Sequence, residues 1–348
     1  MVRSFIQSLL VFGLFAEAGA APAFVGTLAP DLDAIFRQTN GWIGADGDYT
    51  VELNKDTTLW LFDDTVIGQI RGGKRVNAAM VNNSIALRHG DGPPVFYYRT
   101  NSAGKPASVF QPIDDTNCFF WPWDGIRTER GLFVFLMQVR YTADNSAWGF
   151  QVFATALAFV PNPDAPPQDW NITLRRVPFK PYGWAVMRDS DFIYIYGMDK
   201  KKRDSFLARA PAASLDDFAQ WRFYTDGHWQ NNADLSTPII PEAPSEGSVR
   251  WFPELHRFVT IYSPDIFGDI VMRTADAPQG PWTNRQVVFH CPDAKKSRSY
   301  FCYAGKMHPE ISKPGEIIVT YAVNSGNFSD LFNDTELYWP RFVRVKIP

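Results

Sequence analysis

The chain has 348 residues, with 34 Lys and Arg against 37 Asp and Glu, a net charge of −3 and a hydrophobic content of 45%. That balance excludes a disordered chain and offers no electrostatic reason for a phosphate backbone as partner, so nucleic acid is not expected. The aromatic share of 15%, with 12 Trp, 13 Tyr and 28 Phe, suits both sheet-to-sheet packing and stacking against sugar faces.

The chain opens with "MVRSFIQSLLVFGLFAEAGAAPAF": Arg3, an apolar run from Phe5 to Phe15, then small residues that permit cleavage after Ala18 or Ala20. The expectation is a signal peptide over residues 1–20 and a single mature domain over 21–348, secreted or periplasmic. The apolar run is shorter than the ~20 residues a spanning helix needs, so no membrane association is expected after cleavage; a retained N-terminal anchor is the alternative.

The first hairpin is expected in "GADGDYTVELNKDTTLWLFDDT", residues 44–65, where an alternating middle is flanked by Asp46, Asp48, Asp63 and Asp64. With Asn54 to Thr57 as a four-residue loop, Leu53 faces Thr58 and Gly47 faces Asp64, which brings Asp46 and Asp64 together at the open end. Like charges facing each other across strands destabilise a hairpin, so the cluster calls for another reason. Calcium binding, Asx turns at the glycines and solvated loop acids are the structural alternatives. The chemical one is a pair of carboxylates acting on a neutral polar substrate, one of them with a raised pKa.

Downstream, short alternating runs are punctuated by Gly, Pro, Asn and Asp, the pattern of an all-β protein. YTVEL, TLWLF, NSIAL and VFYYR form one set; CFFWPW, LFVFLMQV and FQVFATALAFV the next; then GWAVM, FIYIYG, FLARA and WRFYT. SVRWF, RFVTIY, DIVMRT and VVFH follow, and MHPEIS, EIIVTYAV and FVRVKI end the chain. Each set takes about sixty residues, close to one four-stranded blade with long loops, so the fold expected is a five-bladed β-propeller. FVRVKI or the N-terminal segment is expected to close the ring, and two stacked β-sheets are the alternative. The echo between "LARAPAASLDDFAQWRFY" and "VMRTADAPQGPWTNRQVVF", with Trp221 and Trp282 opening a strand, supports a repeat.

In a propeller the innermost strands begin around one channel mouth. The starts read from these sets are Asp124 after "WPW", Trp184 in "YGW", Glu246 in "SEGSV" and His308 in "MHPE". Together with the hairpin they make a candidate sugar site: Trp123 and Trp184 as an aromatic platform, Asp46, Asp64 and Glu246 as catalytic carboxylates, and Asp48, Asn83, Asp124 and His308 as substrate contacts. Glycoside hydrolysis needs such a pair, one acid to protonate the leaving oxygen and one carboxylate to activate water or attack. Taken singly, each of these residues also has a structural reading: a solvated acid, a hydrogen-bonded histidine, a packed tryptophan.

Residues "GADGDYTVEL…TLWLFDDTVIG", "MVNNSIAL", "WPWDG", "SEGSV" and "KMHPEIS…VTYAVNS", spanning about Gly41 to Asn324, resemble the secreted five-bladed propellers long catalogued as a domain of unknown function, whose characterised members are endo-D-arabinanases. The resemblance implies that Asp46, between glycines, and Asp64, before Thr65, are the catalytic pair. Asp63 departs from that pattern, where the family has glycine, so D-arabinan specificity does not carry over with it. Other five-bladed glycosidases take their acid from a later blade in a Glu-Gly context, which makes Glu246 the rival acid.

Three cysteines allow one bridge, Cys291 to Cys302, with Cys118 left over, and offer no zinc spacing. Five scattered histidines suggest no transition-metal site; no cofactor is expected, and calcium is the one ion whose ligand chemistry suits a channel-mouth acid cluster. GxSxG, HExxH and P-loop motifs are missing, "DKKKRD" reads as a solvated turn, and sequons stand at Asn82, Asn171, Asn327 and Asn333. The function expected is a secreted glycoside hydrolase acting on a polysaccharide or oligosaccharide. The alternative from another class is a noncatalytic carbohydrate-binding or surface propeller.

Overall fold

Runs rich in Val, Ile, Phe, Tyr and Trp, cut every few residues by glycine and Asx turns, leave the chain no length for long helices. A computed structural model describes residues 24–112, 117–143, 149–199, 203–242 and 245–348. The expected signal peptide and the lysines of "DKKKRD" lie outside the described residues.

A strand β1 (Val25–Leu28), a short helix α1 (Pro30–Phe36) and a strand β2 (Asn40–Ala45) precede the first sheet. That sheet starts with β3 (Tyr49–Asn54) and β4 (Thr57–Phe62) and is completed by β7 (Ser84–His89) and β8 (Val95–Tyr97). Between them β5 (Thr65–Arg71) and β6 (Lys74–Val81) leave the sheet and pair with β2 as a separate three-stranded annex. A short pair, β9 (Arg99–Thr100) and β10 (Pro106–Ala107), follows.

The second sheet is β11 (Phe119–Thr128), β12 (Gly131–Tyr141), β13 (Phe150–Val160) and β14 (Thr173–Arg176). The third comprises β15 (Tyr182–Asp189), β16 (Phe192–Asp199), β17 (Asp204–Pro211), β18 (Arg222–Thr225) and β19 (His228–Gln230). The fourth holds β20 (Gly247–Phe252), β21 (Arg257–Tyr262), β22 (Asp269–Ala275) and β23 (Gln286–His290). In the last, β24 (Tyr300–Met307) and β25 (Glu316–Ser325) are followed, after the short helix α2 (Asp330–Asn333), by β26 (Arg341–Lys346).

Each of these sheets is an antiparallel meander, and its first strand packs on the first strand of the next: β3 on β11, β11 on β15, β15 on β20, β20 on β24. Side chains from β24 and the turn after it reach β3 and the residues just before it, through Lys306 to the Gly47 carbonyl and His308 to Thr50, and complete the circle. This is an all-β propeller. Both chain ends close it, because β1 forms the outermost strand of the final sheet against β26, with Val25 opposite Lys346 and Leu28 opposite Val343. A Cys291–Cys302 disulfide ties the end of the fourth sheet to the last.

Two corrections concern registration. The expected four-residue hairpin loop is a two-residue turn, Asn54 pairs with Thr57, and a bulge at Leu53 resets the ladder so that Tyr49 faces Leu61 and Thr50 faces Trp60. Extending that register puts Asp63 across from Gly47 and Asp64 across from Asp46. The second concerns the last sheet: its inner strand is YFCYAGKM rather than MHPEIS, which forms the exit turn. Inner strands β11, β15 and β24 each break register near the same height, at Pro122/Gly125, Tyr182/Ala185 and Tyr303/Lys306. Such bulges bend a strand and re-aim its side chains, so they decide what faces the channel.

Candidate active site at the channel mouth

Asp46 and Asp48 come from the link between the annex and the first sheet, and Asp63 and Asp64 from the tight turn where β4 leaves for the annex. A backbone hydrogen bond from Asp63 N to Asp46 O, 2.9 Å, staples these two segments. Gly47 has a φ of +89°, and a Cβ there would lie 2.7 Å from Asp63 N, so only glycine lets the segments approach this closely. Asp48, Ala304 and Tyr338 are non-glycine residues with φ of 62°, 60° and 66° around the same mouth. Left-handed backbone of this kind costs about 1–3 kcal/mol per residue and collects where a site requires it.

Asp46 and Asp64 are partly exposed here, and so is Glu246, just ahead of β20. Asp46 Oδ2 accepts a hydrogen bond from the Tyr303 hydroxyl, with Tyr338 as a further hydrogen-bonding neighbour. Enclosure by the protein, then the charge of Asp64, push Asp46 well above the usual carboxylate range. Asp64 Oδ1 accepts from Trp121 Nε1 at 2.8 Å and Asn82 Nδ2 at 3.1 Å. Burial raises its pKa and these two donors restrain it, leaving it at about 6. The two facing carboxyls are thus held by unlike donors, a tyrosine hydroxyl on one and an indole and an amide on the other.

Beneath them lies a single ammonium. Lys306 donates to the carbonyls of Gly47 and Ala304, the latter at 2.8 Å, and pairs with Glu246 Oε1 at 3.4 Å, which uses all three of its N–H groups. Its side chain is 1% exposed, and the ammonium also lies 4.4 Å from the Tyr49 ring centroid. Asp48 and Asp63 are buried below the mouth; burial lifts Asp48 to about 8 and Asp63 well above its ordinary value. The lysine stabilises the ionised forms around it, but one cation cannot neutralise this many acids, and some must stay protonated.

Five of the residues read from the sequence as substrate contacts are placed elsewhere. Trp123 and Trp184 are completely buried and offer no face to a sugar: Trp184 donates to Gly197 O at 3.1 Å and Ser205 Oγ at 3.2 Å, and both rings belong to the inter-sheet core. Replacing such a core tryptophan by alanine typically costs about 3–5 kcal/mol. Asn83 is spent on the backbone, donating to Phe110 O and Phe120 O and accepting from Phe110 N. Asp124 sits within β11, not at its start, where Arg250 grips both oxygens at 2.8 and 3.0 Å and Val186 N donates to Oδ2 at 2.8 Å. His308 lies past the end of β24, buried between Thr50 (2.8 Å) and Thr320 (2.7 Å), with burial holding it neutral. Thr50 donates its hydroxyl proton to Glu310 at 2.8 Å, which makes His308 Nδ1 the protonated nitrogen. Asp124 thus ties β11 to β15 and β20, and His308 links β3 to β25. Asp48, the remaining one, is buried beneath the mouth and meets no surface.

Sequence reading missed Trp121, Asn82, Tyr303 and Lys306. Trp121 stands two residues from an expected contact, Trp123, and a bulge between Pro122 and Gly125 breaks the alternation that would put both on one face; Asn82 adjoins Asn83 in the turn between β6 and β7. The signal for Lys306 was a lone ammonium inside the apolar strand "YFCYAGKM".

A cavity of about 530 Å³ opens at the other end of the channel, among Glu52, Arg127, Arg188, Arg250 and Trp251. Its cations are already engaged, Arg127 with Asp164, Arg188 with Glu129 and Arg250 with Asp124. Its carboxyls are Glu52 and Glu310, the latter bonded to Thr50, whereas the mouth gathers Asp46, Asp64 and Glu246. Among the described residues, no group of three or more His, Cys, Asp and Glu side chains is arranged to hold a metal ion.

The chain belongs to the family described as a domain of unknown function (DUF5005), whose profile matches residues 30–347. No curated protein matches it. Among solved structures it is similar to a Bacteroides ovatus protein provisionally described as a hydrolase, with TM-score 0.77, 23% identity, and coverage of 92% of this chain and 90% of that one. It is also similar to the catalytic domain of a Coprinopsis cinerea GH62 α-L-arabinofuranosidase, with TM-score 0.50, 10% identity, and coverage of 88% and 97%. A GH43_1 enzyme of Xanthomonas citri in complex with xylotriose gives TM-score 0.50, 14% identity, and coverage of 91% and 93%. At these identities the likeness is one of fold.

Proposed function

We propose that this chain is a secreted glycoside hydrolase that cuts a polysaccharide, an arabinan first among those to be tried, with Asp46 as general acid and Asp64 as general base or nucleophile. The observation that carries the reading is the pair of facing carboxyls in unlike surroundings: Asp46 beneath a tyrosine hydroxyl and beside another acid, Asp64 beneath an indole and an amide donor. Two titratable groups whose environments push their pKa values apart are what acid/base division of labour requires.

Cleavage needs a proton on the leaving oxygen as the anomeric C–O bond breaks, and a nucleophile on the opposite face of the sugar. Asp46, protonated, supplies the first. Asp64, ionised above about pH 6, takes a proton from the incoming water or attacks the anomeric carbon itself. Lys306 acts as a positioning residue: it fixes Glu246 and the Gly47 carbonyl, and so the segment that carries Asp46. Glu246 remains the rival for the proton donor, being partly exposed at the same mouth.

Fold analogy with an α-L-arabinofuranosidase and a xylotriose-bound enzyme supports a glycan as ligand and is no more than analogy. The arabinan preference rests on the motif resemblance around Asp46 and Asp64. Export rests on the N-terminal sequence, and a mature mass beginning near Gly19 or Ala21 tests it. The function is tested by incubating the mature protein with arabinans, arabinogalactans and other plant, algal and bacterial glycans and measuring released oligosaccharides. Binding without release from any of them would favour the noncatalytic carbohydrate-binding reading.

A further inference from the structure

We propose that the carboxylate mouth is the middle of an open cleft for an extended glycan, with Tyr141 on one side and Phe267 on the other serving as platforms on which sugar rings flanking the cut bond stack. This rests on the glycosidase reading and deepens it.

On the second sheet, Tyr141 ends β12 on the mouth side, 69% exposed. Its ring is tilted against Phe119 with centroids 4.8 Å apart, and Phe119 in turn meets Trp121 edge-on at 5.4 Å. Trp121 is the residue that donates to Asp64, and Asn82, the other donor to Asp64, also reaches the Tyr141 hydroxyl at 3.4 Å. The exposed ring is therefore linked to one reacting carboxyl by two contacts through Asn82 and by three through Phe119 and Trp121.

Across the mouth, Asp46 leads to Tyr303, and Tyr303 to Phe301 with centroids 5.4 Å apart. The adjoining residue, Cys302, donates its N–H to Ile266 O at 3.2 Å, which sets the β21–β22 loop beside that strand. Phe267 at its tip is 82% exposed, yet the loop is braced: Phe267 N donates to Asp265 Oδ1 at 2.8 Å, Cys291 N to Gly268 O at 2.7 Å, and the Cys291–Cys302 disulfide lies behind.

Single exposed apolar side chains are ordinary, and neither ring alone would carry this argument. What distinguishes these two is position: Tyr141 is linked by side-chain contacts to Asp64, and the loop that carries Phe267 is braced on the strand that carries Tyr303, the partner of Asp46. Aromatic rings in such places present flat apolar faces complementary to the C–H faces of sugars, at a small cost in side-chain freedom. A substrate gripped on both sides of the reacting bond is a chain entered internally, so the class of ligand is a polymer and not a terminal residue.

The test compares wild type with Tyr141→Ala, Phe267→Ala and Tyr141→Phe, using linear arabinan together with the glycan panel, by kinetics and by affinity electrophoresis. Each alanine variant is expected to raise KM on the polymer so that its penalty there exceeds its penalty on the shortest cleaved oligosaccharide by about tenfold, with Tyr141→Phe restoring wild-type behaviour. Polymer affinity in the gel should weaken in parallel. Equal penalties on long and short substrates, or unchanged KM and mobility in both alanine variants, overturn the cleft while leaving the hydrolase reading standing. A wild type that retards on glycan without cleaving it overturns the hydrolase reading, and the alanine variants' mobility then still decides the platforms. A wild type that neither binds nor cleaves overturns both.

Discussion

Trp121 donates its indole N–H to Asp64 Oδ1 across a 2.8 Å hydrogen bond from the neighbouring sheet. The bond favours the ionised carboxylate, against the burial that raises it, and so it sets the pH at which Asp64 becomes available as a base.

Trp121→Phe keeps an aromatic ring against Phe119 and Phe150 but removes the donor. The pKa of Asp64 should then rise from about 6, and the acidic limb of kcat/KM with it, by about one unit if the bond contributes a charge-assisted hydrogen bond's usual worth. A pH profile on the most active glycan checks this. An unmoved acidic limb would mean that another group controls it.

Asp48 bears on stability. Its folded-state pKa of about 8 lies above the ~3.9 of an unfolded chain, so the folded form binds the proton more tightly. Stability associated with this group is intact below about pH 4 and is lost as pH rises toward and through 8. Asp48→Asn keeps the shape and removes the ionisation, so its thermal midpoint should fall less than that of wild type between pH 5 and pH 9. Parallel curves would contradict the assignment.

Arg250 and Asp124 form a structural pair down the channel. Arg250→Met leaves a completely buried aspartate without its partner, a loss of about 3–5 kcal/mol for pairs of this kind. Denaturant titration should report that destabilisation, while the molecules that remain folded keep their kcat, because Asp124 lies away from the carboxyls at the mouth. A selective loss of kcat with unchanged stability would move Asp124 back among the substrate contacts.

The propeller was legible in the chain because its strand sets alternate cleanly and recur at near-constant length. The annex was not. TVIGQIR and KRVNAAMV look like two more turns of the first meander, and only the pairing with NGWIGA separates them. At the site, the convergence of Asp46 and Asp64 followed from hairpin arithmetic even though the loop length was misread, since the bulge at Leu53 shifts the count by a single residue. That same sensitivity to one residue misdirected Trp123 for Trp121 and Asn83 for Asn82. A bulge between Pro122 and Gly125 reverses which side chains face the mouth, and no periodicity announces a bulge. Asp124 and His308 were misread for a different reason: the inner strands begin with their aromatic stretches, at Phe119 and Tyr300, ahead of the residues read as their starts, which puts both residues farther down the channel.

The most direct test of the account is kcat for Asp46→Asn and Asp64→Asn, measured beside Glu246→Gln on the best glycan and with thermal midpoints recorded for all of them. Each asparagine variant removes a proton or a charge without changing shape, and each should lower kcat by about a hundredfold or more while remaining folded. Two asparagine variants with nearly full activity, together with a Glu246→Gln variant that has lost it, would contradict the account and move the chemistry to the fourth sheet.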